Sequence, residues 1–199
     1  MNAKIYIEGG GDSKELHARC REGFRKLLEK CDFKGRMPRL VACGGRESTF
    51  DDFQTAWKNA RPGDFIAMLV DSEDPVQDIE KPWAHLKSRD HWNRPANASD
   101  DQLFLMTTCM ETWMVADRDQ LREYYAKCIR EAALPDLNDL EARGRAQILD
   151  HLKNATRECH PPYSKGDESF RLIAKVRPGE LSKHLPSFAR VKRILNQKL

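Results

Sequence analysis

Apolar residues recur along this chain in two rhythms, short unbroken runs and longer helical stripes, and their alternation predicts the fold before any chemistry is considered. Lys4 to Glu8 is a short β-branched and aromatic run, followed by Gly9-Gly10-Gly11 and then Asp12-Ser13-Lys14-Glu15, which matches a helix capping box. The helix it starts carries Leu16, Cys20, Phe24, Leu27, Leu28 and Cys31 at helical spacing, so one stripe is apolar. Arg39 to Cys43 reads as a second strand closed by Gly44-Gly45. Ser48 is a candidate cap for a helix that turns Phe50, Phe53, Trp57 and Ala60 to the core, and Pro62-Gly63 ends it. The run from Phe65 to Val70 is apolar throughout, as expected of a strand covered on both faces.

The pattern then predicts a helical stretch around Ile79 to Lys87, a polar loop from Ser88 to Asp101 and a strand from Leu103 to Thr107. Helices follow at Cys109 to Ala116 and Asp117 to Lys127. Beyond Pro135 the signal is helical only: Leu140 to Ala155, Phe170 to Val176, Glu180 to Leu185 and Phe188 to Leu199. Strands alternating with helices predict an α/β fold, a mainly parallel sheet with helices on both faces and a helical C-terminal extension. A chain of 199 residues supports one sizeable core and is short for two independent enzymatic domains. Residues 1–134 are therefore expected to form an α/β core and 135–199 an extension that completes the same domain.

Composition narrows the class. With 33% charged residues and a mean hydropathy of −0.72, the chain reads as globular with a heavily charged surface. No apolar run is long enough to cross a bilayer, and the chain enters a strand-like run directly, so no membrane association and a cytoplasmic location are expected. Six dispersed cysteines, Cys20, Cys31, Cys43, Cys109, Cys128 and Cys159, form no Cys-x-x-Cys pair and are expected to be reduced and mostly buried. His17 with Cys20, and Cys159 with His160, are zinc half-sites without a second half. The net charge of +3 is too small to indicate nucleic-acid binding, so the distribution of charge matters more.

Acidic residues gather at the ends of the predicted strands. Glu8 and Asp12 close the first, and Asp71, Glu73 and Asp74 close the third. Carboxylates at the carboxyl ends of neighbouring parallel strands converge on the crevice where open α/β sheets place their ligands, and oxygen donors suit Mg²⁺ or Mn²⁺. The glycines after Glu8 let backbone approach a ligand, or simply form a turn. They are not a phosphate loop, since no Gly-Lys-Ser or Gly-Lys-Thr follows. Asp12 reads equally as a helix cap, a role compatible with metal contact. Three acids in Asp71-Ser72-Glu73-Asp74 repel one another unless solvated or neutralised by a cation. Glu111, among Met110, Trp113 and Met114, either faces outward or has a cationic partner, since a buried lone carboxylate costs several kcal/mol, roughly. Lys165, before Gly166, reads from composition alone as an ordinary loop lysine.

Taken in order, Glu8-Gly9-Gly10-Gly11-Asp12, Val70-Asp71-Ser72-Glu73-Asp74, Met110-Glu111-Thr112-Trp113-Met114-Val115-Ala116-Asp117 and Tyr163-Ser164-Lys165 resemble the DUF4276 proteins. These look like minimal Toprim-fold proteins, akin to RloB-type proteins and to the Toprim nuclease domain of OLD-family enzymes. The resemblance runs from Ile5 through the helix containing Pro186, Phe188 and Leu195. It implies a metal-dependent nuclease in which Glu8 matches the first-strand glutamate and Asp71 the first residue of an Asp-x-Asp pair. Glu73 stands at the second position, leaving Glu73 and Asp74 as alternative ligands. By motif position Asp12 and Glu111 match acids of a second metal, and Lys165 a lysine beside the scissile phosphate.

The implied catalytic set is thus Glu8, Asp71, Glu73 and Lys165, and the implied metal set Glu8, Asp12, Asp71, Glu73, Asp74 and Glu111, with Mg or Mn as cofactor. Nucleic acid is the implied substrate and an ABC-type ATPase the implied partner, in a phage-defence pairing. From Lys165 to Leu199, nine basic residues against three acids leave a local charge of +6, a candidate phosphate-facing surface or a solvated helix face. Two alternatives stand beside the nuclease: a Mg-dependent phosphatase or phosphotransferase, and a non-catalytic subunit of an ATPase complex.

Overall fold

A computed structural model describes residues 2–199. Four strands, β1 (Ala3–Ile7), β2 (Arg39–Ala42), β3 (Phe65–Asp71) and β4 (Leu103–Met106), form a sheet in the order β2-β1-β3-β4. All three pairings are parallel, with Ile7 opposite both Ala42 and Leu69. The α/β class and the parallel sheet are as the hydrophobic pattern predicts.

Side-chain alternation along each strand splits the core into two layers. Ile5, Ile7, Phe65, Ala67, Leu69, Phe104 and Met106 belong to one apolar cluster, and Ile66, Met68, Val70, Leu103 and Leu105 to the other. The unbroken Phe65–Val70 run follows from this: β3 is central, and all seven of its residues are buried.

Helix α1 (Lys14–Leu28) covers the first face with Cys20, Phe24, Leu27 and Leu28. Helices α2 (Arg46–Lys58) and α3 (Pro82–Asp90) cover the second with Phe50, Phe53, Trp83 and Leu86. The chain leaves β1 over one face to reach β2, then returns over the opposite face to β3. The two connections therefore part between β1 and β3, which makes the carboxyl ends of these two strands the switch point where open α/β sheets bind ligands.

After β4, helices α4 (Met110–Ala116), α5 (Arg118–Tyr125), α6 (Arg145–Thr156), α7 (Asp167–Ile173), α8 (Pro178–His184) and α9 (Pro186–Lys198) gather on the first face. Trp113, Ile148, Leu172, Phe188 and Ile194 share one apolar cluster with Ile5 and Phe104, so the C-terminal helices pack into the same core as the sheet. Gly23 permits a close approach of α7 to α1, because a Cβ there would lie 2.7 Å from the Phe170 carbonyl oxygen. At the outer edge of β4, the buried Arg190 of α9 donates to the carbonyls of Leu103 (2.9 Å) and Asp100 (2.7 Å), satisfying backbone that would otherwise be an open edge.

Several boundaries differ from the sequence expectation. Ser13, not Asp12, caps α1: its backbone is extended and its hydroxyl accepts from the Leu16 N–H at 3.1 Å. Helix α2 starts at Arg46 with Gly45 as its cap, so Ser48 lies inside it. The stretch around Ile79 is irregular and α3 begins only at Pro82, whose fixed φ suits a first helical turn.

The cysteines are also corrected. Cys20, Cys31, Cys43 and Cys109 are free and buried, but Cys128 and Cys159 are joined in a disulfide across Cα atoms 5.1 Å apart. Their separation of 31 residues carries no spacing signature, and packing of the segment after α5 against the end of α6 brings them together. Among the described residues, no helix is long and apolar enough to cross a membrane.

Candidate metal centre at the strand ends

Glu8 is the residue after β1 and Asp71 the last residue of β3, the two central neighbours of the sheet. The Glu8 N–H donates to the Leu69 carbonyl at 2.9 Å, and Glu8 Oε2 accepts from the Asp71 N–H at 3.0 Å, so the two strand ends are cross-tied. Asp71 Oδ1 accepts from the Met110 N–H at 2.8 Å, at the start of α4. Just beyond, Glu73 has a left-handed backbone (φ 67°), and its N–H donates to the Thr108 carbonyl at 2.8 Å. A non-glycine residue in that conformation costs about 1–3 kcal/mol and persists where its surroundings impose it.

One carboxylate oxygen each from Glu8, Asp71 and Glu73 lie within 4.8 Å of one another. Three hard oxygen donors on one spot are a donor set that Mg²⁺ or Mn²⁺ accepts. Glu8 and Asp71 also line a cavity of about 300 Å³ with Gly9, Gly10, Met110, Glu111, Arg145 and Lys165. Glu111 is 1% exposed; its Oε1 accepts from the Tyr163 hydroxyl at 2.7 Å and lies 3.4 Å from Lys165 Nζ. Its Oε2 is buried without a hydrogen-bond partner. Because a buried carboxylate oxygen without a partner is costly, an oxygen left open beside an acidic cluster independently fits a cationic ligand. Tyr163 is itself oriented by the buried Ser169, 2.8 Å away.

Burial raises the Asp71 carboxyl well above the ordinary value, reinforced by the charges of Glu8 and Glu111 and opposed by Lys165 and Arg145. Glu8 is also raised, chiefly by burial, with the Arg46 charge pulling the other way. These shifts match carboxylates crowded together out of water, a state that a cation relieves. The chemistry is not that of a thiolate: burial, with Glu111 and Asp71 nearby, pushes the Cys109 thiol up to about 12.

The glycine segment has the conformation that its residue type allows. Gly9, Gly10 and Gly11 all have positive φ (144°, 95° and 51°), and a Cβ on Gly10 would meet the His17 ring at 2.6 Å. His17 Nε2 lies 2.7 Å from the Gly11 carbonyl, which ties the turn to α1.

Of the residues singled out from sequence, Glu8, Asp71 and Glu73 come together, and Glu111 and Lys165 line the same cavity. Between Glu73 and Asp74, it is Glu73 that joins the cluster. The Asp74 side chain is 66% exposed and pairs with Arg89 at 2.9 Å, because the left-handed turn at Glu73 sends the next residue outward. Asp12 is exposed on the turn before α1 and lies outside both the acidic group and the cavity lining.

The candidate phosphate-facing surface is also largely neutralised. Arg171 pairs with Asp167, Arg177 with Asp117 and Asp119, Arg190 and Arg193 with Glu80, and Lys198 with Asp101. Glu80, Asp101, Asp117 and Asp119 lie outside the counted segment, so a local tally of charge could not register them.

Three arginines of the site were not singled out from the sequence. Arg46 Nη1 reaches Glu8 Oε2 (3.4 Å) and the Asp71 carbonyl, while its Nε and Nη2 hold Asp90 at 3.1 and 2.7 Å. Arg145 pairs with Glu73, and Arg89 lies 4.0 Å from the same carboxylate. The one available clue was Arg46 following Gly44-Gly45, a basic residue where a strand end meets a helix start.

No curated protein and no solved structure matches the chain. A family model described as "Domain of unknown function (DUF4276)" matches residues 7–195, from the last residue of β1 into α9. The chain that carries this strand-end cluster belongs to the DUF4276 family.

Proposed function

We propose that this protein is a Mg²⁺- or Mn²⁺-dependent nuclease that hydrolyses phosphodiester linkages at Glu8, Asp71 and Glu73. The reading joins the geometry to the family's resemblance to Toprim nucleases of the RloB and OLD types. The observation that carries it is the convergence of three carboxylates at the switch point of a parallel sheet, with the open oxygen of Glu111 in the adjoining cavity.

A divalent cation held there supplies Lewis acidity, polarising a phosphoryl oxygen and lowering the pKa of water. The protein's own groups do the rest. Asp71 and Glu73 would hold the cation, and the Met110 N–H fixes the Asp71 carboxylate. Glu8 would hold the cation beside them and, through an oxygen lone pair not taken by the cation, accept a proton from the attacking water. Lys165 Nζ, at the cavity wall, offsets charge that builds on the phosphate. Arg46 keeps Glu8 in place through two strands and a helix at once. An ABC-type ATPase that restrains or directs cleavage in a phage-defence pairing follows from the resemblance.

One observation favours a second reading. Glu8 and Glu73 already have arginine partners and Glu111 a lysine, which suits a non-catalytic subunit of an ATPase complex whose acids are internal ion pairs. Calorimetric titration of the purified chain with Mn²⁺, followed by incubation with labelled DNA and RNA with and without the ATPase, separates the two. The nuclease takes up Mn²⁺ and cuts one of these polymers, and Asp71→Ala abolishes both. Absence of cleavage in every combination, with or without Mn²⁺ uptake, supports the subunit. Release of inorganic phosphate from a small ester in place of strand cleavage supports a phosphatase.

A further inference from the structure

The arginines around the strand-end carboxylates are not held alike. Arg46 is anchored on Glu8, the Asp71 carbonyl and both oxygens of Asp90, lies over the Trp92 ring at 4.9 Å, and is 15% exposed. Arg89 is shared among Asp74, Asp90 and Glu73. Arg145 has one partner, Glu73 Oε2, and its side chain is 38% exposed while lining the cavity. A guanidinium with many anchors is part of the scaffold. One that has a single anchor and is itself partly exposed can be transferred to another anion.

We infer that Arg145 is the substrate-phosphate arginine of this site: it rests on Glu73 when the carboxylates hold no cation and passes to a phosphodiester oxygen when a divalent cation takes Glu73. The inference rests on the reading of the cluster as a divalent-cation phosphodiesterase site.

The physical case has three parts. A guanidinium and a divalent cation compete for the same Glu73 oxygens, and a single ion pair whose arginine is 38% exposed yields to a doubly charged ion on the 13%-exposed carboxylate. Once freed, the planar fork of an arginine matches a phosphate in two-point hydrogen bonding, which a lysine does not reproduce. Placement suits the exchange, because Arg145 is the first residue of α6, a twelve-residue helix whose backbone is fixed while the side chain reaches into the cavity. Lys165 stands in the same relation to Glu111, at 3.4 Å and 42% exposed, so the cavity has two cations, each resting on one carboxylate. Cation entry thus does two things at once: it fills the carboxylates and uncovers the positive groups that receive the substrate.

The test uses the full chain, Mn²⁺ titration by calorimetry, fluorescence anisotropy with a labelled oligonucleotide and steady-state cleavage of the same oligonucleotide. Arg145→Ala is expected to raise Mn²⁺ affinity about 3- to 10-fold, since an internal competitor is gone, and to raise the KM for the oligonucleotide about tenfold or more. The slope of log affinity against log salt should fall by about one phosphate contact. Arg145→Lys should recover the salt slope but not the full affinity. Independently, Glu73→Gln in EDTA should bind the oligonucleotide more tightly than the native chain, because Arg145 is uncovered without metal, and adding Arg145→Ala should cancel that gain.

A purely structural Arg145 would leave the KM, the salt slope and the Glu73→Gln gain unmoved, and that result overturns the inference while the metal site stands. Native protein that takes up no Mn²⁺ overturns the site reading and the inference together.

Discussion

Asp117 and Asp71 are both buried carboxylates that accept a backbone N–H from the start of a short helix, and the molecule treats them oppositely. At the junction of α5 and α8, Asp117 is fully buried and saturated. Its oxygens accept from the Gln120 N–H at 3.1 Å, the Arg177 N–H at 2.8 Å and the Arg177 side chain at 3.0 and 3.2 Å. At the ends of β1 and β3, Asp71 receives the Met110 N–H, sits against two other carboxylates, and shares its cavity with a Glu111 oxygen that has no partner. A carboxylate whose every lone pair is engaged has nothing left to offer a ligand and serves the fold. One crowded by like charges and incompletely engaged keeps lone pairs that a cation could take, as the proposed function requires.

The sharpest way to break this contrast is to neutralise each carboxylate. Asp71→Asn should lower Mn²⁺-dependent cleavage by about 10³-fold or more, since a ligand of the cation on which the reaction depends is lost, while the metal-free fold stays as stable or gains stability. The sign follows from burial. The folded Asp71 carboxyl sits above its unfolded value, so its favourable contribution is complete below about pH 4 and is lost as pH rises through the folded value. In EDTA, urea midpoints measured from pH 4 upward should therefore fall less steeply for Asp71→Asn than for the native chain. A steeper fall would contradict the assigned crowding.

In the helical layer the expected effects are on stability. Cys128→Ser removes a crosslink spanning 31 residues and should cost about 3–4 kcal/mol by loop-closure entropy, read from denaturant midpoints in non-reducing buffer. Asp117→Ala removes the cap of α5 and charged hydrogen bonds to Arg177, for a loss of about 3 kcal/mol, with Mn²⁺ affinity unchanged. A change in metal affinity there would erase the distinction between the two regions.

The smallest effect sharpens the contrast through an intermediate case. Glu141 accepts from the Ser187 N–H and hydroxyl at the start of α9 without a cationic partner, and burial lifts its carboxyl to about 7. Its favourable contribution is present below about pH 4.5 and lost as pH rises through about 7. Glu141→Gln should flatten that part of the stability profile and leave the remainder, as measured by thermal unfolding across the same range.

Legibility from sequence followed the range of the interaction. The β1 turn, the unbroken β3 run and the acids that close both were visible because each signal is confined to a few adjacent residues. Glu73 and Asp74 were indistinguishable, since a left-handed backbone at a glutamate leaves no mark in composition. Lys165 read as a loop lysine because its partner, Glu111, lies on a different element. The basic C-terminal segment misled in the opposite direction, since Glu80, Asp101 and Asp117 reach it from earlier elements.

Local periodicity settled the class of fold, the parallel sheet and the strand ends where acids gather, because strand and helix rhythms are properties of neighbouring residues. Which acids meet, which arginines hold them, and which buried oxygen stays open were settled only by packing. Arg46 meets Glu8 across 38 positions and Arg145 meets Glu73 across 72, distances over which nothing in the chain's pattern links one charge to another. A charge acts through space, and space is assigned by the core.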